Sequence, residues 1–234
     1  MKIGIVGTDI FAQGRVNLID DRIKTLKQMF NSAKEVYIQV DIVTEEAKIL
    51  EVDGIIAPES AKLDLIVHDL EFVETRLSRS ADDSEKNLLN KFKGELDKEN
   101  LLTGVSLSEE EKKLISGYSL WSIKPVFLAK QPDLEDKNKL LISAYAHFGY
   151  ISFFTAGEKD AHGWSIRKGT TAYEAAGAIH SDIQKGFIRA EVINFQELVN
   201  DGGISKARSN NHLRLETKEY IVQDADYLLI RTNK

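Results

Sequence analysis

The sequence predicts an α/β domain with a mostly parallel sheet and an α-helical hairpin insert, followed by a smaller α+β domain. Three observations carry this expectation. Apolar strand patterns alternate with segments of helical spacing in the first part of the chain, as in parallel sheets. Two amphipathic stripes interrupt that alternation. Beyond it the pattern changes to short strands around one capped helix. The expected domains are residues 1–149, with the insert at about 61–117, and residues 150–234.

Taken in order, Ile3–Val6 is a buried strand running into Gly7. Asp20–Phe30 sets Ile23, Leu26, Met29 and Phe30 at helical spacing. Val36–Val43 reads as one long strand, Val52–Ala57 as a short one ended by Pro58, and Ile123–Ala129 as another. Leu63, Ile66, Val67, Leu70, Val73 and Leu77 form one helical stripe. Leu88, Leu89, Phe92 and Leu96 form the second, after a polar turn at 80–84. Ser108 and Glu111 are spaced as a capping box opening a short helix, and Lys137–Phe148 reads as helical. In the second domain, strands are expected at Ile151–Thr155, Gly163–Arg167, Phe187–Val192, Tyr220–Val222 and Tyr227–Ile230. A second capping box, Thr171 with Glu174, begins a helix that runs to His180. The polar stretch 201–211 reads as a mobile loop, serving as a contact element or a plain connection.

At 234 residues, 42% hydrophobic and 29% charged, the chain has the composition of a globular protein. No apolar run approaches the roughly 20 residues of a membrane span, and Met-Lys leads straight into a strand pattern, so a cytoplasmic protein without a membrane partner is expected. Zero cysteines exclude disulfides, thiolate metal sites and a cysteine nucleophile. The net charge of −6 argues against non-specific nucleic-acid binding over the whole surface. The excess is local. The first 150 residues carry 20 basic and 26 acidic side chains, and the remainder carries 11 of each, leaving one basic binding face open there.

The first strand and Gly14-Arg15-Val16 approximate a P-loop and then depart from it. A P-loop spaces its two glycines by four residues and follows the second with Lys and a hydroxyl. Here six residues separate Gly7 from Gly14, Arg15 replaces the Lys, and Val16 replaces the hydroxyl that would hold Mg²⁺. No Ser-His-Asp or paired-carboxylate arrangement has readable spacing.

The C-terminal region carries a dense series: Phe154-Thr155-Ala156-Gly157, Lys159, Trp164-Ser165-Ile166, Gly169, Ala175 to Asp182, Lys185 to Ala190, and Lys218 to Asp224. Over about 80 residues this resembles the C-terminal domain of the YchF/Obg-like ATPases. The resemblance implies a TGS domain, a β-grasp fold like ubiquitin. Upstream, Leu107–Lys112 and Ile123–Ala129 resemble the segment leading to the family's base-recognition motif. The two stripes correspond to its coiled-coil insert, Gly4–Gly7 to its P-loop strand and Val40-Asp41-Ile42 to its Walker-B strand. The nucleotide motifs depart from the family pattern: Val43-Thr44 stands where the family has Ala-Gly, and Lys130 stands at the base-reading Asn.

These departures set the expected sites. Gly7, Gly14, Arg15 and Asp41 are the degenerate cofactor-binding candidates. Asp41 reads either as a Walker-B acid or, with the loop hydroxyl missing, as a polar strand-end residue. Arg15 can pair with a phosphate, but a surface salt bridge is the expectation. His68 and Asp64 share a helix face, too few ligands for a structural metal. His180 stands near a helix C-terminus, where a cation interacts well with the dipole, and reads as structural first and pH-sensitive second; Trp164 reads as core. Lys159, Arg167, Lys168, Lys185, Arg189, Lys206, Arg208 and Arg214 are RNA-binding candidates on one positive face, or else solvated surface. The resemblance implies a non-catalytic or weakly nucleotide-binding relative that contacts RNA, the ribosome or a translation-associated protein through its TGS domain. No cofactor is expected. Two alternatives stand: ATP or GTP with Mg²⁺, slowly hydrolysed through a non-standard loop, or a pure protein-interaction module.

Overall fold

The expected long strand over Val36–Val43 breaks at Tyr37, and its two halves enter different sheets. The structure, a computed structural model, describes residues 1–80 and 82–233. In chain order the first elements are Lys2–Ile5 (β1), Gly14–Leu18 (β2), Asp21–Phe30 (α1), Lys34–Val36 (β3), Ile38–Val43 (β4) and Gly54–Pro58 (β5). Lys62–Arg79 (α2), Asp83–Leu96 (α3), Glu109–Leu114 (α4), Val126–Ala129 (β6) and Lys137–His147 (α5) follow. Then come Tyr150–Ala156 (β7), Asp160–Arg167 (β8), Ala172–Ile179 (α6), Ser181–Lys185 (α7) and Phe187–Asn194 (β9). Phe195–Asp201 (α8), Ile204–Ser209 (α9), Arg214–Glu216 (β10) and Asp226–Thr232 (β11) complete the series.

Two units result, one of residues 1–16 and 40–148, the other of residues 17–39 and 149 onward. This differs from the single cut expected after residue 149. The reason is packing: β3 pairs in parallel with β8, and α1 places Ile23 and Leu26 in one core with Phe154, Ile193 and Tyr227. The pattern of local residues gives no hint of this, because both partners lie more than a hundred residues downstream.

In the first unit the sheet order is β2-β4-β1-β5-β6, with β1 parallel to β4 and β5, and β5 parallel to β6. All five residues of β5 are buried, the continuous apolar run of a strand covered on both faces. Val43, Ile49, Ile55, Ala57, Leu65 and Val126 form one core against α2. Gly54 lies against Phe148, where a Cβ would come within 2.5 Å of the ring. Consecutive helices α2 and α3 pack through Ile66, Val73, Leu88, Leu89 and Phe92. Leu63 and Val67, expected in that stripe, point to solvent instead.

In the second unit the order is β10-β9-β11-β7-β8-β3. Pairs β9–β10, β9–β11 and β7–β8 are antiparallel, and β7–β11 and β3–β8 are parallel. Side chains alternate across this sheet. Phe153, Ile166, Val192 and Leu228 meet α6 on one face, while Phe154, Ile193 and Tyr227 meet α1, α8 and α9 on the other. The Thr171–Glu174 capping box forms as expected, as does Ser108–Glu111 on α4. Tyr220–Val222 is not a strand but makes a single bridge from Ile221 to Thr171. The stretch 201–211 carries α9 rather than a bare loop.

Candidate functional site

Ligands of parallel α/β sheets sit beyond the carboxyl ends of the strands. At that end of β1, Gly7 adopts φ 71°, and a Cβ there would lie 2.4 Å from the Ala61 Cβ. The glycine is needed for close approach to the turn that enters α2. The Thr8 hydroxyl accepts the Ile10 N–H at 3.3 Å, and Phe11 is buried with the Lys137 ammonium 5.9 Å from its ring centre. Gln13 donates to Glu45 and accepts from the Thr44 hydroxyl. Gly14 then opens strand β2. A P-loop glycine opens a helix, whose free N–H groups and dipole hold phosphate. The backbone after Gly14 is extended instead.

Arg15 and Asp41 meet each other. The Arg15 Nε donates to Asp41 Oδ1 at 2.9 Å, with both side chains exposed, and this bond holds the Asp41 carboxyl below the usual range. Register shows why Asp41 is not at the loop. It lies opposite Lys2, at the start of β1, with Ile42 opposite Ile3 and Val43 opposite Gly4. Gly7 is five residues further along, about 16 Å at strand rise. The structure therefore brings Arg15 and Asp41 together and keeps Asp41 away from Gly7. Lys130 places its backbone N–H on Asp133 Oδ2 at 2.9 Å.

Two buried carboxylates in this unit have no signal in the local sequence pattern: Asp69 is partnered from 52 and 53 residues away, and Glu85 from as far as Tyr118. Asp69 accepts the Trp121 and Ser122 N–H groups at 2.7 and 2.8 Å and the Ser122 hydroxyl at 2.6 Å. His68, considered with Asp64 as a metal pair, instead lies 3.1 Å from Asp69 Oδ1 and stacks on Trp121 at 3.8 Å. Among the described residues no group of His, Asp and Glu is arranged to hold a metal ion. Glu85 accepts from the Ser80 and Tyr118 hydroxyls and the Arg76 Nε, which hold its carboxyl down at about 2. Burial, then the Glu85 bond, pushes Tyr118 up to about 12.

In the second unit the basic candidates separate. Lys159 in the β7–β8 turn, Lys185 before β9 and Arg189 at its start lie at one end of the sheet. Arg167 and Lys168 lie at the other end, roughly 20 Å away at strand rise, and the Arg167 guanidinium sits 3.9 Å over Tyr150. Arg214 pairs with Glu216 and Tyr220 on the face that carries α6. Lys206 and Arg208 are on α9, where Arg208 donates to Glu191 at 2.9 Å. Arg231, absent from the candidates, binds the other oxygen of Glu191. The single face expected for all eight candidates does not form. Trp164 is half-buried, donates to Thr155 Oγ1 at 2.9 Å and carries His162 stacked at 3.7 Å, with the imidazole pKa pushed down chiefly by burial. His180 ends α6 but begins α7, its Nδ1 accepting the Asp182 N–H at 3.1 Å. His180 thus serves as the N-cap of α7.

Residues 150–233 match the family model YchF-GTPase_C, described as a protein of unknown function (DUF933). A "Ribosome-binding ATPase YchF" of Bacillus subtilis is 30% identical over 78% of this chain and 68% of its own length. Another protein of that name, from Haemophilus ducreyi, is 28% identical over 82% of this chain and 69% of its own length. "Obg-like ATPase 1" of Danio rerio is 39% identical over 41% of this chain and 24% of its own length. The fold is similar to the solved Schizosaccharomyces pombe YchF GTPase, with a TM-score of 0.75, 18% identity and coverage of 99% of this chain and 97% of that one.

Proposed function

This chain belongs to the YchF family, and we propose that it is a member that contacts the ribosome through its C-terminal unit without using the family's nucleotide site. The strand order β8-β7-β11-β9-β10 crossed by α6, with parallel β7 and β11 at its centre, supports reading that unit as a β-grasp, TGS-type domain with β3 added at one edge. Helices α2 and α3 would be the family's coiled-coil insert in short form.

The observation that carries the nucleotide half of this reading is the extended backbone after Gly14. An extended backbone there, Arg15 in place of the P-loop Lys, Val16 in place of the Mg²⁺-binding hydroxyl and Asp41 paired with Arg15 support a loss of phosphate donors and of oxygen ligands for Mg²⁺. Charge-assisted contacts are worth about 1.5–3 kcal/mol each, so losing several removes orders of magnitude in affinity. The ribosome half rests on the relatives named for ribosome binding and on the exposed basic residues of the second unit. A cytoplasmic site of action follows from it. Calorimetric titration of the full chain with ATP-Mg²⁺ and GTP-Mg²⁺ tests the first half, with no measurable heat of binding expected. A low-micromolar dissociation constant would sink it. Ribosome co-sedimentation at low salt tests the second.

A further inference from the structure

We infer that one uncovered end of the second sheet, built by Arg189, Arg231 and Arg208 beside Leu215 and Leu229, is the surface that receives RNA phosphates. This rests on the ribosome-contact reading above and gives it a place and a ligand chemistry.

Directly opposed residues in antiparallel strands share a face. Ile193 opposes Tyr227, and both lie in the core with α1, α8 and α9. One row further along that face, Leu215, Glu191 and Leu229 oppose one another. The next row is Arg189 opposite Arg231. Helical cover gives out between these rows: Leu215 is 56% and Leu229 43% exposed, against 0% for Ile193. Arg208 reaches in from α9 to Glu191.

The charges at this end are arranged rather than scattered. Glu191 is 4% exposed, and its two oxygens are taken one each by Arg208 and Arg231. One buried carboxylate thus fixes two guanidinium forks while their outer N–H groups remain at the surface, the side chains being 58% and 55% exposed. Fixing the forks in advance lowers the ordering cost of binding. Arg189 is exposed and makes no ion pair among the described residues, although Glu219 is close enough to feel its charge. Three guanidiniums against Glu191 and the nearby Glu219 leave a local positive excess of one in a chain whose net charge is −6. Lys159 lies at the same sheet end. Guanidinium forks fit phosphate oxygens in bidentate fashion, and the two exposed leucines give the flanking sugars and bases an apolar floor.

Three full-length proteins test this: wild type, Arg189→Glu and Lys168→Glu, the last at the opposite sheet end. Each is titrated against fluorescein-labelled purified ribosomal RNA by anisotropy at several salt concentrations and co-sedimented with bacterial 70S ribosomes. Arg189 is exposed and makes no ion pair among the described residues, so its variant is expected to keep a cooperative melt. Arg189→Glu is expected to weaken RNA binding at least tenfold and to reduce the log–log salt slope by about 1, while Lys168→Glu binds as wild type. Equal binding by wild type and Arg189→Glu overturns the assignment of this surface and leaves the ribosome reading standing. Ribosome binding without any binding to the naked RNA overturns the RNA assignment in favour of a ribosomal protein. RNA binding that needs Arg189, without co-sedimentation, keeps the surface and overturns the ribosome reading.

Discussion

The strand ends of the first unit and the sheet end of the second both collect charged side chains, and they use them in opposite ways. In the first, Arg15 and Asp41 neutralise each other at the surface, while the Gly7–Gly14 loop buries Phe11 and ties Gln13 to Thr44 and Glu45. In the second, a single buried Glu191 orders two arginines and leaves Arg189 beside them without a partner among the described residues. The lesson is that a motif's setting survives without its chemistry when the backbone after it changes type. A binding surface, in turn, can be built where no motif announces it.

The largest effect is expected from separating the units. A fragment from residue 149 onward lacks Ile23 and Leu26, which are fully buried in the second core. Each is worth about 1.5–3 kcal/mol of burial. We expect the fragment to lose roughly 3–6 kcal/mol and to show poor amide dispersion. Supplying residues 17–39 through a linker should restore a cooperative melt. A fully stable fragment without them would show that α1 is an accessory.

Next in size is Gly7→Ala, which tests whether that glycine serves packing. The added methyl meets Ala61 at 2.4 Å in a left-handed backbone, so a loss of about 1–3 kcal/mol is expected in urea unfolding. An unchanged midpoint would mean the contact with Ala61 is easily relaxed.

Much of this was readable from sequence where the physics is local. Both capping boxes depend on residues three apart, and α1 spans nearly the expected residues because its apolar spacing is helical. What failed to show depends on distant partners. The Val36–Val43 run is uniformly β-rich, and nothing in it marks Tyr37 as the point where the chain changes sheets. Asp69 looks like one more charge on a helix until Trp121 and Ser122 arrive from 52 and 53 residues away. Arg231 had a usable signal: it continues the alternation of Tyr227 and Leu229 on one face of the strand, directly after the apolar run Tyr227–Ile230.

Acid unfolding compares the buried carboxylates at smaller scale. The Glu85 carboxyl is held at about 2 against an ordinary 4.5 by its bonds to Ser80, Tyr118 and Arg76. A lowered folded pKa stabilises fully above the unfolded value and loses that contribution as pH falls through the folded one. The melting temperature of wild type should therefore approach that of Glu85→Gln as pH falls from about 4.5 towards 2. A gap that stays constant over that window would contradict the cause assigned here. The smallest effect is expected for Arg15→Ala, within about 0.5 kcal/mol in thermal or urea unfolding, since exposed ion pairs contribute little.

The most direct test of the central claim is co-sedimentation of the full chain with ribosomes, with and without ATP-Mg²⁺, across a salt series. The account predicts association that weakens steeply with salt and is the same with and without nucleotide. Association that appears only with ATP-Mg²⁺ would contradict it.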